Sequence, residues 1–190
     1  MNPLFRAAVD VQRFCDSQGW QFCFIGALAV IRWGEPRLTR DVDLTLLTGF
    51  GGEERYIDAL LRQFPARRAD ARKFALHYRV LLLESDSVPV DIALGAMPFE
   101  ERAVARASAW TLADGTAIRT CSAEDLVVFK VFAARDQDWL DVEGVALRQA
   151  GRLDAELIIE ELAPLLDLKG TTEDLARLER LVASARTPDQ

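Results

Sequence analysis

Residues 21–47 constrain the fold of this chain more than any other stretch. Gln21-Phe22-Cys23-Phe24-Ile25 is an aromatic-rich run that reads as a short strand and ends on Gly26, after which Ala27 to Trp33 reads as a helix closed by Gly34 and Pro36. A second strand is expected over residues 40–47, with Val42, Leu44 and Leu46 on one face and Asp41, Asp43 and Thr45 on the other. Fifteen residues separate Gly26 from Asp41, which one helix and a short return loop use up, so the glycine turn and the acidic strand are expected to be neighbours. A glycine before a helix lets an anion approach free backbone N–H groups and the positive end of the helix dipole. The two aspartates leave one face of one strand close together, and like charges held so close call for a cation. Taken alone, a D-x-D pair also suits a solvated strand face, and a lone glycine an ordinary tight turn.

The pattern around this unit predicts a mixed α/β part to about residue 120 and a helical part behind it. Leu4, Ala8, Val11 and Cys15 form the stripe of a helix over residues 3–18, stopped by Gly19. Residues 53–63 have helical spacing, and an arginine-rich stretch over 65–73 leads into a buried strand over 78–84. Ser85-Asp86-Ser87 turns that strand into an antiparallel partner over 88–94. Ser122 caps a helix with Asp125 in its first turn, and the helices beyond it break near residues 135–138, 151 and 169–171. The tail 187–190 reads as loose.

A third carboxylate, Asp91, interrupts the apolar run Val88, Val90, Ile92, and neighbouring strands lie ~4.8 Å apart, so it can converge on Asp41 and Asp43. Hard oxygen ligands of this kind suit Mg²⁺ or Mn²⁺, which keep several waters and take further ligands from substrate phosphates. Phosphoryl or nucleotidyl transfer follows from that chemistry. The single histidine excludes schemes needing two, and three cysteines without a C-x-x-C spacing argue against a disulfide framework or a zinc site. Lys130 is the only charge between Asp125 and Arg135 in an otherwise apolar helix, and it either snorkels to solvent or pairs with a nearby acid such as Asp141.

The net charge of −7 excludes a chain that coats nucleic acid overall. Locally the sign reverses: Arg62, Arg67, Arg68, Arg72, Lys73 and Arg79 put six cations in eighteen residues, as a solvated surface or a phosphate-contacting patch. The charged N-terminal stretch lacks a signal-peptide core and no window approaches ~18 apolar residues, so a cytoplasmic protein with no membrane contact is expected.

The run from Gly26-Ala27 through Arg37-Leu38-Thr39-Arg40-Asp41-Val42-Asp43-Leu44 resembles the signature of polymerase-β-like nucleotidyltransferases, and within them AbiEii-type toxins. Ser122 to Val142, with Lys130, Arg135, Asp138 and Asp141, is similar to the second block of those toxins. The resemblance implies an α+β fold, a small mixed β-sheet flanked by helices, with a catalytic domain over 1–120 and a helical C-terminal region over 121–190. It implies metal on Asp41, Asp43 and Asp91, with Asp91 activating the acceptor hydroxyl and Lys130 and Asp141 completing the catalytic set. Gly26, Ala27, Arg37, Thr39 and Lys130 are expected at the nucleotide. An Mg²⁺- or Mn²⁺-dependent transfer of a nucleotide from an NTP to RNA, at the 3′ end of tRNA, is implied, together with a cognate antitoxin. Ala27 departs from the usual serine, which leaves the backbone N–H groups to hold phosphate. Transfer to a small molecule such as an aminoglycoside, transfer to a protein, and a non-catalytic nucleotide-binding relative are the alternatives.

Overall fold

Asn2 accepts a hydrogen bond from the Leu4 amide at 3.0 Å and Pro3 takes the first helical position, where its missing N–H is not needed. So begins the computed structural model, which describes residues 2–186; the tail 187–190 lies outside the described residues. Helix α1 (Pro3–Ser17) buries Leu4, Ala8, Val11 and Cys15, as their spacing predicts. Then follow β1 (Phe22–Phe24), α2 (Gly26–Trp33), β2 (Val42–Leu47), α3 (Glu53–Gln63), α4 (Ala71–Tyr78), β3 (Val80–Ser85), β4 (Val88–Gly95), α5 (Pro98–Arg106), β5 (Ser108–Thr111) and β6 (Ala117–Thr120). Four helices complete the described chain: α6 (Ala123–Ala133), α7 (Asp136–Arg148), α8 (Ala155–Lys169) and α9 (Glu173–Arg186).

The described residues divide into two compact units, one of residues 2–28 and 38–121, the other of residues 29–37 and 122–186. The first holds a six-stranded sheet in the order β3-β4-β2-β1-β6-β5. Its pairing is mixed: β2 runs parallel to β4 and β1 to β6, while β1/β2, β3/β4 and β5/β6 are antiparallel. The expected α+β class with a mixed sheet is therefore the observed one. Alternation sends Val42, Leu44, Leu46, Val90 and Ile92 into the core, all of them fully buried, and burying each large side chain stabilises the fold by ~1.5–3 kcal/mol. Thr45, on the other face of β2, is also buried, and its hydroxyl donates to Glu100 Oε1 at 3.0 Å.

Two stretches differ from the sequence expectation. Residues 71–78 form α4, so Tyr78 ends a helix instead of beginning a strand. Ala, Arg, Lys and Leu are all good helix formers, and the density of charge hides the helical period. α5, β5 and β6 fill residues 98–120, for which the pattern predicts no individual element. The hairpin turn is as expected: Asp86 and Ser87 both have positive φ, 50° and 63°, as a two-residue turn between twisted strands requires.

In the second unit Ser122 caps α6 by accepting from the Asp125 amide at 3.0 Å. α6 contacts α7 and α8, and α9 contacts both of those. Arg148 Nη1 donates to Gly34 O at 2.5 Å and Gln149 Nε2 to Trp33 O at 2.7 Å, which ties the segment after α2 to α7. No helix among the described residues is long and apolar enough to cross a membrane.

Candidate active site

Strand register assembles the site. β2 and β4 are parallel, with Asp43 directly opposite Asp91; paired residues on adjacent strands are ~4.8 Å apart and their side chains leave the same face. Asp41 lies just before β2, two residues from Asp43 and so on the same side by alternation, and its Oδ1 accepts from the Thr39 hydroxyl at 2.7 Å. Asp41 is exposed, whereas Asp43 and Asp91 are half-buried. Burial pushes the Asp91 carboxyl above the usual carboxylate range, the Arg67 guanidinium pulls it back, and the negative charge of Asp41 raises it further.

Gly26 explains how Asp43 is seated. Its φ of +54° is one that side-chain-bearing residues rarely adopt, and a Cβ there would lie 2.1 Å from Asp43 Oδ2. The carboxylate thus fills the space that any other residue's side chain would occupy. Ile25 N–H donates to Asp43 O at 2.9 Å, locking β1 to β2 beside it. Asp43 therefore sits at the amino end of α2, where the helix dipole favours negative charge.

Asp91 has a partner that the sequence did not single out. The Arg67 guanidinium donates to Asp91 Oδ1, and the two side chains keep 28% and 34% exposure. The rest of the cationic run is largely matched: Arg68 pairs with Asp70, Arg72 with Asp58 and Glu54, and Arg79 with Glu53. Only the short extension of chain at residues 65–67, seen once the fold is known, distinguishes Arg67 from its neighbours.

The remaining expected residues lie in the helical unit. Lys130 is 6% exposed, and its Nζ is 2.8 Å from both Asp138 Oδ1 and Asp141 Oδ2. Asp141 also accepts from Arg37, Nε at 2.8 Å and Nη2 at 3.1 Å, and from Gln137. Asp138 also accepts from Arg135 Nε at 2.6 Å. Burial pushes both carboxyls up, but the hydrogen bonds from Arg135 and Lys130 on Asp138, and from Arg37 and Lys130 on Asp141, prevail and hold them below the usual range. Of the two carboxylates on Lys130, the sequence pointed to Asp141; Asp138 was legible only as part of the motif.

The donor set in the sheet unit, carboxylate oxygens held at a strand pair, is the chemistry that Mg²⁺ or Mn²⁺ takes. Among the described residues no three ligand side chains are already drawn together as a metal cage. Asp43 and Asp91 stand side by side, Asp41 is adjacent and exposed, and the group fits a hydrated cation better than an all-protein site.

Residues 13–188 match the family model described as nucleotidyl transferase AbiEii toxin, type IV TA system. No curated protein matches the sequence. Among solved structures the chain is similar to a lincosamide antibiotic adenylyltransferase bound to lincomycin, at 11% identity and a TM-score of 0.51 over 74% of this chain and 94% of that one. It is also similar to an antigenic nucleotidyltransferase-like protein from Paracoccidioides brasiliensis, at 16% identity and a TM-score of 0.49 over 93% and 91%. At such identity the first likeness is one of fold.

Proposed function

Because the chain belongs to the AbiEii family of nucleotidyltransferase toxins, we propose that it transfers a nucleoside monophosphate from an NTP to a hydroxyl of RNA, at the 3′ end of tRNA, under the control of a cognate antitoxin. The observation that carries the reading is the Asp43–Asp91 register pair, with Asp41 beside it and Gly26 shaped around Asp43. Asp41, Asp43 and Asp91 would hold Mg²⁺ or Mn²⁺, which supplies neutralisation of the triphosphate and of the departing pyrophosphate.

Each residue of the chain then has a defined task. Backbone N–H groups at Gly26 and Ala27 face the phosphates from the start of α2, where Ala27 provides no hydroxyl. Thr39 holds Asp41 in place through its 2.7 Å hydrogen bond. Asp91, whose carboxyl burial raises, accepts the proton of the acceptor hydroxyl. The hydroxyl oxygen bonds to the α-phosphorus, the bond from that phosphorus to its bridging oxygen breaks, and pyrophosphate leaves in line. Lys130 and Asp141 are positioning residues in this reading: Lys130 neutralises Asp141, which holds Arg37, two residues before Thr39 in the chain.

The test incubates the protein with Mg²⁺, each α-labelled NTP in turn and total tRNA, beside the Asp41→Asn/Asp43→Asn double variant. Label on tRNA with the wild type alone is the expected result. Label on an aminoglycoside or on protein instead replaces the acceptor, and absence of both NTP binding and labelling overturns the enzymatic reading. Co-expression with a neighbouring candidate antitoxin relieving a growth defect tests the partner.

A further inference from the structure

Residues 65–67 run along the edge of the sheet. Arg67 N–H donates to Leu82 O at 3.1 Å, Glu84 N–H donates to Pro65 O at 2.9 Å, and Ala66 bridges to Leu83. Leu82 is the register partner of Asp91 on β4. These main-chain bonds fix where the Arg67 side chain begins, with β3 between it and Asp91, and its guanidinium ends on the Asp91 carboxylate. Both side chains remain about one-third exposed, so water and ligands reach the pair.

Two further carboxylates lie near Asp91. Asp43 stands opposite it in register, and Asp41 bears on it electrostatically. Arg68, Arg72 and Arg79 are each engaged by a different carboxylate. A guanidinium stays charged at every working pH, so Arg67 serves Asp91 as counter-ion when nothing else does. A divalent cation at the same carboxylates repels it: two positive charges a few ångströms apart cost on the order of kilocalories at the effective dielectric of a protein surface.

We infer that Arg67 is an exchangeable counter-ion, holding Asp91 while the carboxylates carry no divalent cation, giving Asp91 up when one binds, and then turning its guanidinium to an anionic group on the acceptor. The inference rests on the proposed carboxylate site and adds a substrate class to it: a hydroxyl compound with a phosphate close by is favoured, and a polycationic sugar is disfavoured. Arg67 thus holds Asp91 in one state and contacts the acceptor's anionic group in the other, away from the reacting atoms.

The test reads metal affinity apart from activity. Free Mn²⁺ is followed by electron paramagnetic resonance as it is titrated into wild type, Arg67→Gln, Arg67→Lys and Asp91→Asn, with thermal unfolding recorded for each. Arg67→Gln is expected to bind Mn²⁺ about ten-fold more tightly than wild type, Arg67→Lys close to wild type, and Asp91→Asn more weakly. Unchanged or weaker binding in a folded Arg67→Gln overturns the counter-ion role. Absence of Mn²⁺ binding in both wild type and Arg67→Gln overturns the carboxylate site itself, and this inference with it. In labelling assays the KM for total tRNA is expected to rise about ten-fold in Arg67→Gln while the KM for NTP stays within about two-fold. An unchanged KM for tRNA, or an equal rise in both, overturns the acceptor half. Absence of transfer to tRNA by the wild type removes RNA as acceptor together with that half, and the metal exchange then stands or falls on the Mn²⁺ titration.

Discussion

Two groups of charges in this molecule contrast. In the sheet unit, Asp91 meets the Arg67 guanidinium, Asp41 accepts from the Thr39 hydroxyl, and Asp41, Asp43 and Asp91 are exposed or half-buried. In the helical unit, Asp138 and Asp141 meet Lys130, Arg37 and Arg135, and Lys130 and the two carboxylates are buried. Buried charge persists only when it is paired and hydrogen-bonded, so the second group, in which each carboxylate meets Lys130 and an arginine, is satisfied within itself and holds structure together. The first is open to solvent, so a ligand can reach its carboxylates. Composition does not separate the two groups, since both are carboxylates with basic neighbours; the access of water does.

The contrast breaks most visibly when a cation is removed from the buried group. Lys130→Met leaves two buried carboxylates short of a partner and is expected to cost about 3–5 kcal/mol, read from urea unfolding. Asp43→Asn in the open group should change stability by less than ~1 kcal/mol while cutting nucleotide transfer at least ~100-fold. If the two substitutions destabilise equally, the distinction between the groups fails.

Gly26→Ala sharpens the open side. The new methyl meets the Asp43 carboxylate at a backbone φ of +54°, so a loss of about 1–3 kcal/mol in stability and a weakened Mn²⁺ affinity are expected. Full Mn²⁺ affinity in that variant would mean that Asp43 is not held where the metal would bind.

A pH titration of stability separates the groups next. The carboxyls of Asp138 and Asp141 are lowered in the fold, so their stabilisation is fully present above the unfolded carboxylate pKa of ~3.9 and is lost as pH falls through their folded values. Wild type should lose stability steeply below pH ~4, and an Asp138→Asn variant should show a shallower loss. The smallest effect concerns chemistry outside both groups. Burial pushes the Cys15 thiol to about 12, so in the folded protein it should react with a thiol reagent at pH 8 far more slowly than after unfolding.

Much of the fold was legible because the signals are local. The α1 stripe, the Ser122 cap, the Asp86-Ser87 turn and the helix over Glu53–Gln63 depend on residues within a few positions of one another. α4 was not legible, because Arg68, Arg72, Lys73 and Arg79 read as a charge run whose pairings with Asp70, Asp58 and Glu53 form only in the fold. Asp41, Asp43 and Asp91 were visible as acids in apolar strands, and the seating of Asp43 against Gly26 supplies the geometric reason for that glycine.

By itself the sequence determined the strand–glycine–helix unit, the acidic strand that follows it, and the family to which both belong, since each is written in short-range spacing. Only the tertiary structure decided which charges are spoken for. Arg67 reaches Asp91 across twenty-four residues through the register of β3 and β4, and Lys130 reaches Asp138 and Asp141 through the packing of α6 on α7. Electrostatic pairing depends on distances in space, and at those separations along the chain spacing alone does not set them.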